Sequence, residues 1–184
     1  STPEQSAADS VRIAIVQQMD HASLDQIRAA IEAELDAQAA EQGITVEYEL
    51  FNGQNDTTTL NQIGTQVGGD GYDATIPIAT LAAQCMDNAA AETETPVIYA
   101  AISDPATADL TDISYVTGTS DYLDTEFIME MMFTANPDIQ TVGLLYSTSE
   151  PNSEAAIAAA RAYLDEKGVA YVEATGNTND EVLA

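Results

Sequence analysis

Short runs of strand character alternate with helical patterns along this chain, and only a few residues separate one from the next. Val11 to Val16 (V-R-I-A-I-V) suits a buried strand. Ser23-Leu24-Asp25-Gln26 has the form of a capping box and predicts a helix start, because a Ser and a Gln three residues on can satisfy each other's orphan amides. Leu24, Ile27, Ile31 and Leu35 then recur at helical spacing, and Gly43 supplies a helix stop. Ile44, Val46, Tyr48 and Leu50 alternate with Thr45, Glu47 and Glu49, which is strand periodicity with the apolar set facing inward. After the turn residues Asn52 to Asp56, a helix with Leu60, Ile63 and Val67 inward ends at Gly68-Gly69. Ala74 to Ala79 is a strand, a helix begins near Thr80, Pro96 to Ile102 is a strand, and Ser114 to Thr117 is a short one.

This order of elements argues an α/β fold built on a doubly wound parallel sheet, with right-handed crossovers placing helices on both faces. Ligands of such sheets bind beyond the carboxyl ends of the strands. Near Gly118 the pattern restarts. Thr141 to Tyr146 and Val169 to Ala174 read as strands flanking a helix with Ala156, Ile157, Ala160 and Leu164, ended by Gly168; Asn177-Thr178-Asn179 leads toward another helix. The expected organisation is a disordered lead-in over residues 1–10, a first α/β lobe over 11–118 and a partial second α/β lobe over 119–184. A β-α-β piece of that size is too small to bury a two-sided sheet alone, so self-association through it, or loose attachment, is expected. Phe127, Ile128, Met129, Met131 and Met132 read as interlobe or core packing residues of a helix.

Charge removes whole classes of function. Thirty-one acidic residues face four basic ones, for a formal net charge of −27. Such a surface repels nucleic acid and anionic lipid and favours solubility in cation-rich surroundings. No stretch reaches the roughly 18–20 apolar residues that span a bilayer. Cys85 is the one cysteine and His21 the one histidine. Cys85 reads as a small buried thiol on a helix rather than a nucleophile. Neither a cysteine-based nor a histidine-based metal site has the ligands it needs, and no calcium-loop pattern is present. The glycine fingerprints of dinucleotide and phosphate sites and the nucleophile elbow are also missing. No cofactor, no metal and no catalysis are expected.

The strand ends carry neutral polarity instead. Gln17, Gln18, Met19, Asp20 and His21 follow the first strand; Asn52, Gln54 and Asn55 the second; Thr80 the third; Ser103 and Asp104 the fourth. Ser147, Thr148, Ser149, Glu150, Asn152 and Ser153 follow the strand after the restart. Hydroxyls, amides and open helix starts can cradle a small carboxylate. The same residue types also favour turns and caps for purely local reasons, so both readings stand for each of them.

Ile13 to Asp25 (I-A-I-V-Q-Q-M-D-H-A-S-L-D) resembles the opening of the ABC-transporter substrate-binding family that includes tryptophan and tyrosine binders, with Ala22-Ser23 where the family has Pro-Ala. Similar matches are Asn52 to Asp56, Ile78 to Gln84, Ser103-Asp104-Pro105, Val116 to Tyr122, Val142 to Tyr146 and Ser149 to Ser153, in the family's order; Leu81 stands where the family often has Pro. The resemblance implies a type I periplasmic-binding fold, with a small solute held between two lobes. Tryptophan, tyrosine or phenylalanine is the favoured solute and an ABC permease the partner. Location outside the cytoplasm is implied too, periplasmic or as a lipoprotein tethered through a Cys upstream of Ser1. Family members run longer, so the chain is expected to be a fragment covering about the first three-fifths of such a protein and binding solute more weakly than the whole. The ligand set expected from strand ends and resemblance together is Gln17, Met19, His21, Asn52, Gln54, Thr80, Ser103, Asp104, Ser120, Tyr146, Ser149, Asn152 and Ser153. Tyr122 and Tyr146 are the candidate aromatic stackers. An enzyme on a similar sheet is disfavoured by the lack of a nucleophile–base pair; a sensor domain of the same fold is the alternative.

Overall fold

β1 (Ser10–Gln17) is the most deeply buried strand. Ile13 and Ile15 point to one face, Ala14 and Val16 to the other, and all four are buried. A strand apolar on both sides can be satisfied only inside a sheet covered by helices on both faces. That is the arrangement seen in the computed structural model, which describes residues 10–150 and 152–183. These fall into two units, the first ending at Ser120 and the second beginning at Asp121.

The first unit holds α1 (Ala22–Gln42), β2 (Thr45–Asn52), α2 (Thr57–Gly69), β3 (Ala74–Ile78), α3 (Thr80–Ala90), β4 (Val97–Ile102) and β5 (Val116–Ser120) besides β1. Its five strands are all parallel, in the order β2-β1-β3-β4-β5. α1 lays Leu24, Ile27, Ile31 and Leu35 against Ile13, Ile15 and Ile78. On the opposite face α2 and α3 bury Leu60, Ile63, Val67, Ala82, Cys85 and Met86 against Ala14, Val16 and Val97. The chain leaves β1 toward one side of the sheet and returns through β3 on the other, so the strand order reverses between β1 and β3. The carboxyl ends of those two strands therefore flank the crevice where such folds bind ligands.

The second unit holds α4 (Thr125–Ala135), β6 (Thr141–Tyr146), α5 (Ser153–Lys167), β7 (Ala170–Thr175) and α6 (Asn179–Leu183). β6 and β7 are a parallel pair joined through α5. Val142, Leu144, Ala160 and Leu164 form its core, with Met129, Met132, Phe133 and Ile157 packed against it. Arg161 closes the β7 side with two bonds to the Glu173 carboxylate, Nε at 2.8 Å and Nη2 at 2.6 Å.

Several local expectations need correction. The lead-in falls on residues 1–9, outside the described residues, and Ser10, which had been assigned to it, opens β1 opposite Thr45. α1 starts one residue before the capping box: its N-cap is His21, whose Nδ1 accepts from the Ser23 N–H at 3.2 Å. An imidazole nitrogen has taken the role assigned to the Ser23 hydroxyl. α2 runs through Gly69 and is capped at Asp70. β2 is an edge strand, so alternation there does not guarantee burial: Leu50, placed inward by its spacing, is 46% exposed, while Phe51 packs inward on the other face. On α4, Met129 and Met132 pack in the core, but Phe127, Ile128 and Met131 are exposed and take no part in it. The first unit continues through Ser120 because β5 still pairs with β4 there, Ser120 against Ile102.

Candidate functional site

Because all five strands of the first unit run the same way, their polar carboxyl ends come to one edge. Gln17 stands opposite Asn52 and Ile78, and Ser120 opposite Ile102. Gln17 and Gln18 are both 3% exposed but serve opposite sides of the sheet. Gln17 follows the parity of Ile13 and Ile15 and meets α1. Its Nε2 donates to Asp25 Oδ1 at 2.9 Å and to the Met19 carbonyl at 2.7 Å, and its Oε1 accepts from Arg28 Nε at 3.1 Å. Gln18 follows Ala14 and Val16 toward α3. Its Oε1 accepts from the Leu81 N–H at 2.9 Å and its Nε2 donates to Asn55 Oδ1 at 2.8 Å. The two glutamines brace the crevice from both sides.

α3 begins without a capping side chain on its own N-cap residue, Ala79. Ala79 has φ 78° and ψ 163°, a region used essentially by glycine alone. It is held there because its N–H donates to the Ala100 carbonyl at 2.9 Å while its own carbonyl accepts from the Ala83 N–H at 3.1 Å. Thr80, buried, is the first helical residue. The Leu81 amide is taken by Gln18. The Thr80 and Ala82 amides, like those of any first helical turn, have no helix carbonyl to bond. The result is a polar start of a helix, set by a strained peptide at the switch point of the sheet.

The remaining residues of this edge are held in turns. Asn52 Nδ2 donates to Asp20 Oδ1 at 2.5 Å, and its Oδ1 accepts from the Gln54 N–H at 2.8 Å. Gln54 and Asn55 both have positive φ, 53° and 54°. Gly53, just before them, is buried, and a Cβ there would collide with the Leu60 side chain. Asp56 caps α2 through the Thr59 N–H at 2.7 Å, a bond that holds its carboxyl below the usual range. Asp104 Oδ1 accepts from the Ala106 and Thr107 amides, which leaves Ser103 beside it, half-buried at the end of β4. Met19 is half-buried, while His21, Gln54 and Ser120 are exposed.

In the second unit the β6–α5 loop carries the other expected residues. Tyr146, Ser147, Thr148, Glu150, Ser153, Ile157 and Arg161 line a cavity of about 280 Å³. The Tyr146 hydroxyl donates to Glu173 Oε2 and accepts from Arg161 Nη2, both at 3.1 Å, and the guanidinium lies 5.7 Å from the ring centre. Arg161 thus covers one side of the ring expected to stack on a ligand. Glu173 is held below its ordinary value, first by its hydrogen bond to Arg161. Ser149 and Asn152 are exposed, Asn152 standing at the α5 N-cap without a side-chain capping bond. Pro151 lies outside the described residues. Tyr122, the second candidate stacker, is 74% exposed.

Elsewhere, Cys85 is buried, and burial pushes its thiol up, away from the thiolate form that reacts. Among the described residues no group of three or more His, Cys, Asp or Glu is placed to hold a metal ion. None of their helices is long and apolar enough to cross a membrane.

Comparison with known proteins decides the family. The family model for ABC transporter substrate-binding proteins matches residues 12–183. This chain belongs to that family. Over 175 residues this substrate-binding protein is 30% identical to the tyrosine-binding protein of Clostridioides difficile (strain R20291), covering 92% of its own length and 50% of that relative's. A solved Streptococcus pneumonia ABC domain in complex with L-Trp matches with TM-score 0.82 and 31% identity, over 95% of this chain and 60% of that one. A conserved domain protein of Vibrio cholerae matches with the same TM-score at 26% identity and the same coverage. The chain therefore spans about half the length of the curated relative it matches. The family is one of substrate-binding proteins, and the Clostridioides difficile relative is named for binding tyrosine.

Two residues outside the expected ligand set organise this substrate-binding protein's polar edges. Gln18 continues the parity of Ala14 and Val16 just past the end of β1, and its use becomes visible only with α3 packed on that face. The other, Asn177, follows β7 and accepts from the Thr148 and Ser149 N–H groups, and no periodicity marks it.

Proposed function

We propose that the chain is the solute-binding part of an ABC importer, acting outside the cytoplasm on a free amino acid, aromatic ones favoured, and releasing it unchanged. The start of α3 carries this reading. Thr80 is buried at the switch point of a parallel sheet, beside a Gln18 side chain that already exploits one first-turn amide. A carboxylate suits the amides that remain, through hydrogen bonding and the helix dipole together. The preference for an aromatic solute is supported by the names of the tyrosine-binding relative and the L-Trp complex. A permease partner follows from the family. The neutral amides and hydroxyls of the edge offer binding rather than acid–base chemistry.

The test is a titration of the 184-residue chain with L-tryptophan, L-tyrosine and L-phenylalanine, followed by NMR, which reads affinities as weak as millimolar. Saturable shifts of the Thr80 to Ala82 amides are expected. Absence of saturable shifts with all three would remove the aromatic amino-acid reading, and turnover of any of them would remove the transport reading.

A further inference from the structure

We infer that Ala101 is a positioning residue: the bulge it makes in β4 holds Ala79 in its glycine-like conformation and so aims the first turn of α3. The inference rests on the reading above, in which that turn meets the carboxylate of an amino acid. Ala101 has φ 58°, in the left-handed region that side chains disfavour. The register of β4 shifts there: Tyr99 stands opposite Gly118 of β5 and Ile102 opposite Ser120, so β4 spends one residue more than its partner. The extra residue shows in the packing too. Ala100 lies beside Ile27 and Ile31 of α1, and Ala101 belongs to the cluster of Ile13 and Ile15 on that same face. Tyr99 and Ile102 both pack in the cluster that holds Ala83 of α3, on the other face.

The bulge and α3 meet at one bond. The Ala100 carbonyl, next to the bulged residue, accepts the Ala79 N–H at 2.9 Å. In an unbroken parallel ladder the Ala79 carbonyl would next accept the N–H of Ile102. The pairing of β3 with β4 ends instead at Ile78 opposite Ala100, where the left-handed turn begins. The Ala79 carbonyl is thereby released to α3 and takes the Ala83 N–H at 3.1 Å. Two alanines in costly conformations thus stand one bond apart at the edge of the crevice, each where a glycine would sit freely. Such strain persists only where its surroundings over-determine it, and here each alanine is part of what holds the other.

The experiment follows the Thr80, Leu81 and Ala82 amides by NMR, without ligand and titrated with L-tryptophan, in the wild-type chain, Ala101→Val, Ala101→Gly and the double variant Ala79→Gly/Ala101→Val. Valine, β-branched, resists φ 58°, and glycine is the conservative control that adopts it freely. Ala101→Val is expected to move the three amide signals in the ligand-free protein and to lower L-tryptophan affinity about tenfold, the scale of one strained residue. Ala101→Gly is expected to keep the signals in place. In the double variant a glycine at position 79 needs no prop, so the signals are expected to return and the affinity to recover to within about threefold of the wild type. Loss of stability alone would leave the folded-state signals where they are. Unmoved signals or unchanged affinity in Ala101→Val, equal effects in Ala101→Gly, or a double variant that recovers neither overturns the inference. If the wild-type chain does not bind L-tryptophan, that part of the amino-acid reading fails, and the ligand-free signals decide the positioning role by themselves: moved by Ala101→Val and returned in the double variant they support it, and unmoved they overturn it. If Ala101→Val does not fold, Ala79→Gly alone decides. Relief of an alanine held in place by its surroundings is expected to raise the urea midpoint, and an unchanged or lower midpoint overturns the inference.

Discussion

The side-chain oxygen of Gln18 accepts the backbone N–H of Leu81 at 2.9 Å, fastening the end of β1 to the first turn of α3 across 63 residues of sequence. The same side chain donates to Asn55 at 2.8 Å, so one buried carboxamide ties three segments of the crevice together. Gln18→Leu keeps the volume and removes both bonds, leaving the Leu81 amide without this acceptor in a buried place. A loss of about 1–3 kcal/mol of stability is expected, the usual cost of stranding a buried polar group. Urea denaturation of the wild type and the variant measures it. A change within about 0.5 kcal/mol, the range of ordinary surface substitutions, would mean that the bond is not holding the two segments.

Thr80→Val at the start of α3 should act on binding. Valine matches threonine in shape but lacks the hydroxyl. L-tryptophan affinity is expected to fall by about 1–3 kcal/mol if that hydroxyl bonds a charged carboxylate. The check is the same NMR titration, and an unchanged affinity would move the carboxylate away from this helix start.

The parallel sheet was legible because its signals are local: five short apolar runs, helical periodicity between them, and glycine stops at Gly43 and Gly168, both of which have positive φ. Errors arose where tertiary context decides. Leu50 alternates correctly but lies on an edge strand, so nothing covers it. The Ser23 box gave way to a histidine cap two residues earlier. At the site, the strand ends could be listed from sequence, but their uses could not be separated. Gln17 and Gln18 are chemically identical neighbours, and only the sheet's two faces tell them apart. Asn177 was out of reach, because its partners lie about 30 residues away and their meeting depends on the β6–β7 pairing.

Tyr72 gives the fold a dependence on alkaline pH. Burial pushes its phenol up to about 12, and its hydrogen bond to Glu49 works in the same direction. The Arg12 guanidinium, 4.6 Å from the ring centre, opposes them. In the unfolded chain a tyrosine titrates near 10. A group whose value is raised by folding contributes stability that is fully present below the unfolded value and is lost as pH climbs through the folded one. The stability difference between wild type and Tyr72→Phe should therefore stay constant up to about pH 10 and shrink steadily from there to about 12. Denaturation curves at several pH values in that window test it. A difference that grows with pH would reverse the sign of the argument.

The second unit should self-associate once its charge is screened. Its parallel pair is covered by α4 and α5 on one face. The other face presents Thr141, Gly143 and Leu145 beside Ala170, Val172 and Ala174, paired in that register and all exposed. Leu145 is 56% exposed and Val172 63%. Both outer edges of this two-stranded sheet are unpaired among the described residues. An apolar face with open edges complements a second copy of itself. The net charge of −27 holds copies apart at low ionic strength. That repulsion acts over about 30 Å at 0.01 M salt and only about 3 Å at 1 M, whereas apolar contact is not weakened by sodium chloride. Sedimentation should show monomer in dilute buffer and growing association toward about 1 M salt. Replacing Leu145 with Ser and Val172 with Lys should abolish the salt-induced species while leaving the fold of the first unit intact by circular dichroism. Association that is independent of salt, or that persists in the double variant, would place the contact elsewhere on the chain.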